Sequence, residues 1–80
     1  MIQELADGPR RVGLKQSTRE LAAGNVKKAF VARDSEENVR GPFVQLCKEQ
    51  GVEVAYIDTM GALGEACGID VGCAVAVLIK

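Results

Sequence analysis

A chain of 80 residues has room for one domain, and 48% hydrophobic with 26% charged side chains is the balance of a folded, not a disordered, chain. A formal net charge of −1 argues against a uniformly basic nucleic-acid binder, and the lack of histidine removes Ser-His, Cys-His and His-zinc chemistry together. The longest apolar run, residues 73–79, is far short of the ~20 residues that cross a bilayer. Glu4 and Asp7 stand where a secretory leader would be basic and then apolar. No membrane partner is expected, and the expected compartment is cytoplasmic.

The elements follow in chain order. Residues 2–5 can form a short helical turn ended by Gly8-Pro9, and residues 11–14 a short extended segment that turns at Gly13. A helix follows, with Leu14, Thr18, Leu21, Ala22 and Asn25 spaced as a core stripe. Ser17 and Glu20 fit a capping box, with a start one turn earlier at Lys15 as the alternative, and Gly24-Asn25 ends the helix. Residues 26–33 read as a strand whose Ala29, Phe30, Val31 and Ala32 are buried. Residues 34–38 are a polar turn with room for one helical turn of its own. Pro42 suits the first position of a second helix with Phe43, Leu46 and Cys47 inward, and Gly51 suits its left-handed end. Residues 52–57 form a third strand. Asp58 or Thr59 caps a short helix carrying Met60, Leu63 and Ala66, stopped by Gly68. Residues 73–79 are a continuously apolar strand of the kind buried on both faces. Alternating strands and helices predict a layered α/β domain with helices on both faces of a sheet of at most four strands.

Catalytic and cofactor chemistry finds no support. Cys47, Cys67 and Cys73, at spacings of 20 and 6, make neither a CxxC pair nor an even disulfide framework, and read as small buried hydrophobes. Gly61, Gly64 and Gly68 match neither the dinucleotide fingerprint nor a phosphate loop, and they sit between a helix cap and a strand, the reverse of the order those motifs need. No cofactor and no metal is expected, and no paired acids stand out. The protein is read as a non-enzyme.

Charge is distributed unevenly. Residues 1–33 hold seven basic and three acidic side chains, whereas residues 34–80 hold three basic and eight acidic ones. Such asymmetry can create a local attractive field despite the net sign. On a helix starting near Lys15, the side chains of Lys15, Gln16 and Arg19 are neighbours three or four apart, away from Leu14 and Leu21, at an end whose free amides favour phosphate. Lys and Arg can donate to guanine O6 and N7, and Gln can donate and accept. The set suits a base edge, though a solvated helix face has the same spacing. Ile69, Asp70 and Val71 form a glycine-flanked loop that either supports the last strand or contacts an apolar or stacked surface such as exposed bases.

Three segments carry a resemblance: GLKQSTREL (13–21), LCKEQGVEV (46–54) and MGALGEACGIDVGCAVAVLI (60–79). Together they resemble the kink-turn RNA-binding ribosomal proteins of L-seven-Ae and L-thirty-e type, most of all the small bacterial members, over nearly the whole chain. The resemblance implies a three-layer α-β-α sandwich with a four-stranded mixed sheet, residues 1–80 forming a single kink-turn RNA-binding domain. It also implies that the N-terminus of the helix after the first strand enters the widened major groove of a kinked RNA duplex. There it would read the guanines of two tandem sheared G·A pairs. Archaeal and eukaryotic relatives typically show Gly-x-Asn-Glu-x-x-Lys, where this chain has Gly13, Lys15, Gln16 and Arg19. Ile69, Asp70 and Val71 match the loop that packs over the unpaired bulge nucleotides. The implied partner is structured RNA containing a kink-turn, on the ribosome or in a structured mRNA leader, bound by a monomer. Outside the matched motifs, the basic residues Arg33 or Lys28 would add phosphate contacts. The alternative is a protein–protein adaptor on the same fold without RNA binding, motivated by the acidic second half.

Overall fold

Ala29, Phe30, Val31 and Ala32 are all fully buried, as in a strand covered on both faces. In the computed structural model, which describes residues 8–80, they lie at the centre of the molecule. The turn expected at residues 2–5 falls outside the described residues. The elements are β1 (Arg10–Val12), α1 (Leu14–Ala22), β2 (Val26–Ala32), α2 (Glu37–Glu49), β3 (Glu53–Ile57), α3 (Met60–Ala66) and β4 (Val75–Ile79). The strands form one mixed sheet in the order β1-β4-β2-β3. β4 runs antiparallel to both neighbours, and β2 and β3 are parallel.

Alternation along the strands divides the core in two. Phe30, Ala32, Ala76 and Leu78 pack with Leu63, Cys67 and Cys73 on the α3 side. Ala29, Val31, Val75 and Val77 pack with Leu21, Phe43 and Cys47 beneath α1 and α2. The three layers are therefore α1 and α2, the sheet, and α3. A register shift between Val26 and Lys28 leaves Lys27 as the extra residue. The shift restores Val26 to the same face as Ala29 and Val31, where it is 3% exposed.

Two helix starts differ from expectation. α1 begins at Leu14 with Gly13 at the cap position, so Ser17 already lies inside the helix and its N–H donates to the Gly13 carbonyl (3.0 Å). No capping box forms. Glu20 turns instead to Arg11 (3.7 Å) and accepts from Asn25 Nδ2 (3.4 Å). The core stripe rotates accordingly: Ser17 and Leu21 are buried, whereas Leu14, Ala22 and Asn25 are exposed. The Ser17 hydroxyl is buried without a hydrogen-bond partner among the described residues. An unsatisfied hydroxyl costs about 1–3 kcal/mol. Ser17→Ala should therefore leave stability unchanged or raise it by roughly 1 kcal/mol, read as a higher urea midpoint at constant m-value. Loss of a true N-cap would lower it by ~1 kcal/mol.

α2 starts at Glu37, so Pro42 is in the helix interior and not at its first position. Proline there leaves the carbonyl four residues earlier without its helical donor, but that residue, Asn38, is exposed and water can replace the bond. Gly41, with no Cβ, also relieves the clash that proline makes with the residue before it. The other ends agree with expectation. Gly51 takes a φ of 69° after α2, and Thr59 caps α3, its Oγ1 accepting from the Ala62 N–H at 3.0 Å. Met60 is an exception within α3, being 37% exposed and not part of the core.

Candidate functional site

Register fixes what meets at one end of the sheet. Val12, the last residue of β1, pairs with Ala76 near the start of β4, and β2 and β3 both finish beside it. The Gly13 N–H donates to the Val75 carbonyl (3.0 Å), Ala32 N–H to Ala74 (2.8 Å) and Arg33 N–H to Ile57 (2.7 Å). The N-terminus of α1, the turn after β2, the start of α3 and the loop entering β4 are thus gathered at this end.

Gly13 makes the entry into α1 possible. Its φ of 96° with ψ of 157° is a backbone region essentially reserved for glycine. With no side chain at the cap and no acidic residue in the first turn, the positive end of the helix is left open to an anion. Lys15, Gln16 and Arg19 are exposed there, opposite the buried Ser17 and Leu21. No ion pair among the described residues engages Lys15 or Arg19. The expected face of α1 is therefore assembled as a basic, solvent-facing surface.

The second segment, residues 67–74, climbs along α3 to the same end. The Ile69 N–H donates to the Gly64 carbonyl (3.0 Å), Gly72 rests on Met60, and the Cys73 N–H donates to the Met60 carbonyl (3.1 Å). Gly64 is buried, and a Cβ there would overlap the Val71 carbonyl oxygen. Burial distinguishes the residues of this loop. Ile69 is half-buried against the α3-side core, while Asp70 is exposed and Val71, at 69% exposure, projects into solvent.

Lys28 and Arg33 separate. Lys28 lies at the opposite end, 3.6 Å from Glu53 and 5.5 Å from the centre of the Phe30 ring. Arg33 is at the site end, but 3.8 Å from Asp58 and 5.5 Å from the Tyr56 ring centre. Sequence patterning did not reveal three supporting contacts. Asp34 Oδ1 accepts from the Met60 N–H (2.8 Å) and anchors the start of α3 from another element. Gly64 makes the close approach just described. Arg10 donates to the Cys67 carbonyl through Nε (3.2 Å) and Nη2 (2.8 Å). The Asp34 and Arg10 contacts join residues 26 and 57 positions apart, and the Gly64 approach depends on how the loop folds back over α3, so no local pattern marks any of them.

The cysteines are buried and free. Burial pushes the Cys47 thiol up from about 9 to about 11; for Cys67 burial, reinforced by the neighbouring Cys73, has the same effect. Burial raises Cys73 as well, and its Sγ donates to the Val75 carbonyl at 2.8 Å. Neutral buried thiols are weak nucleophiles. An aromatic disulfide reagent at pH 8 should modify all three only after unfolding. The folded protein keeps these protons where the unfolded chain releases them, so stability is unaffected below about pH 9 and falls as pH rises toward 11, by at most ~1.4 kcal/mol per unit for each thiol. Urea midpoints at pH 8 and pH 10 test this, with Cys47→Ala flattening the slope.

Among the described residues no group of three or more His, Cys, Asp and Glu side chains is placed to hold a metal ion, and no helix is long and apolar enough to cross a membrane.

Fold and surface together define a small α-β-α sandwich presenting a basic helix N-terminus beside an apolar loop. The chain belongs to the ribosomal protein L7Ae/L30e/S12e/Gadd45 family, which it matches over residues 5–80. It is 44% identical over 69 residues to an RNA-binding protein of Caldanaerobacter subterraneus subsp. tengcongensis, covering 85% of this chain and 84% of that one. It is 34% identical over 73 residues to the large ribosomal subunit protein eL8 of Halobacterium salinarum, covering 90% of this chain but 61% of the longer ribosomal protein. Among solved structures, the Giardia lamblia 15.5kD RNA binding protein superposes with a TM-score of 0.82 at 24% identity, over 89% of this chain and 60% of that one. That likeness bears on the fold, and agrees with the three helices and four-stranded mixed sheet among the described residues.

Proposed function

We propose that the protein binds RNA without catalysing a reaction, and that its target is a kink-turn recognised through tandem sheared G·A pairs. The observation that carries this is the meeting, at one end of the sheet, of the uncapped start of α1 with the loop holding Val71 exposed. A kinked duplex offers the complementary pair of surfaces: a widened groove with guanine edges and phosphates, and unpaired bases pushed out of the stack. Lys15 and Gln16 donate to base edges, Arg19 contacts phosphate or guanine, and Ile69, Asp70 and Val71 cover the bulge. Gly13 lets the helix start approach the RNA closely. The relatives named RNA-binding protein support the reading, and the eL8 relative suggests a ribosomal setting. Binding the bent form better than the open form is sufficient to favour the kink.

Arg19→Gln tests the reading directly. It should weaken binding to a short kink-turn RNA and lower the slope of log affinity against log salt by about one. Unchanged affinity and slope would place the RNA face elsewhere on the molecule. A stable protein complex that tolerates charge reversal at Lys15 and Arg19 would instead favour an adaptor.

A further inference from the structure

The two halves of the site lie fifty or more residues apart in the chain, and one side chain of β1 reaches the base of the loop that carries the second half. Arg10 donates from both Nε (3.2 Å) and Nη2 (2.8 Å) to the carbonyl of Cys67. Cys67 is the C-terminal cap of α3 and the last residue before the loop. α3 has no basic residue in its own last turn, so Arg10 supplies the positive charge that its carbonyl end favours. Two residues further on, β1 ends and Gly13 opens α1. One guanidinium thus clamps the start of the loop to the strand that launches the reading helix.

We infer that Arg10 is a positioning residue for RNA binding: it touches no RNA itself, and it holds the loop of Ile69, Asp70 and Val71 in its binding conformation relative to the start of α1. This rests on the function proposed above and adds the device that joins its two contact regions. The Ile69 and Cys73 bonds tie the loop to Gly64 and Met60 of α3, and the Ala74 carbonyl, accepting from the Ala32 N–H, ties its far end to β2; Arg10 links its start to β1. Without the Arg10 clamp, the end of α3 and the start of the loop can shift relative to β1 while Ala74 holds the far end, and RNA must then pay for ordering residues 69–72.

The test is a double-mutant cycle on the full chain, with a bulged kink-turn RNA as the probe. Arg10→Gln should weaken binding by about 3- to 30-fold while leaving the salt slope unchanged, because no phosphate contact is lost. In a Val71→Ala background, where the loop has lost its exposed contact, the same substitution should cost much less. Arg10→Lys, which keeps the charge and one donor, should recover part of the affinity, and it serves as the test variant if Arg10→Gln fails to fold. Hydrogen exchange of the residue 69–72 amides should quicken in the variant, with the α1 amides unchanged. A salt slope reduced by about one would make Arg10 a phosphate contact. An equal loss in both backgrounds would make it a general stability residue. Either result overturns the inference. If wild-type protein fails to prefer the kink-turn over a fully paired control, the function itself is wrong and this role falls with it.

Discussion

Gly64→Ala should destabilise the fold and loosen the binding loop, although alanine is the better helix former. A methyl group in an exposed helix interior gains up to ~1 kcal/mol over glycine. At Gly64 it would overlap the backbone carbonyl of Val71, which no side-chain rotation can relieve. Overpacking of this kind costs about 1–3 kcal/mol, so repulsion wins and the net loss is up to roughly 2 kcal/mol. Relief comes only by moving the Val71 backbone away from α3, which displaces the exposed side chain from the site. Kink-turn affinity should then fall about tenfold or more, beyond what the stability change explains. Gly61→Ala in the same helix is the control. Its Cβ would meet only Thr59 Oγ1 at 3.9 Å, and stability should hold or rise. Urea unfolding and an RNA titration of both variants check the pair. Unchanged affinity in Gly64→Ala would remove the loop from the binding surface.

Gln16→Ala should act on specificity while leaving the fold intact. Gln16 is exposed in the first turn of α1, so its loss costs almost no packing. A good base-edge contact is worth about 1–3 kcal/mol of discrimination, a factor of roughly 5 to 150. The preference for sheared G·A pairs should shrink by that factor. The salt slope should stay constant, because glutamine carries no charge and its removal releases no counterions. Arg19→Gln has the opposite signature, a changed slope. A Gln16→Ala variant that binds both RNAs less well by the same factor would show that Gln16 contacts the backbone and not the bases.

The order of strands and helices is legible because the apolar runs are short and bounded by turn residues: residues 26–33 read as a strand with a buried stretch and residues 73–79 as a strand covered on both faces. The helix starts were harder. Ser17 and Pro42 both carry strong local preferences for a first turn, and at both positions tertiary packing began the helix earlier. At α1, Gly13 could adopt the backbone geometry needed to turn directly out of β1. At α2, Asn38, whose carbonyl loses its helical donor to Pro42, is an exposed residue, which makes an interior proline tolerable. The exposed trio on α1 followed from spacing, because it is the complement of the buried Leu21, even though the stripe itself had been drawn around Leu14. Glycine-flanked Ile69 and Val71 suit support and contact equally in the sequence, and the structure separates them only by burial, Ile69 against the core and Val71 exposed. Arg10 was beyond reach: its contact with Cys67 spans 57 positions, and no local pattern marks such a pair.

The central claim is structure-specific RNA recognition by the α1 end and its adjoining loop. The most direct measurement is a gel-shift titration with a short kink-turn RNA, without magnesium and at two salt concentrations. The control is the same RNA with both G·A pairs replaced by Watson–Crick pairs. Tight binding to the kink-turn RNA alone, persisting at the higher salt, is the predicted result. Equal weak binding to both RNAs, lost together as salt rises, would show only a basic patch at work and contradict the account.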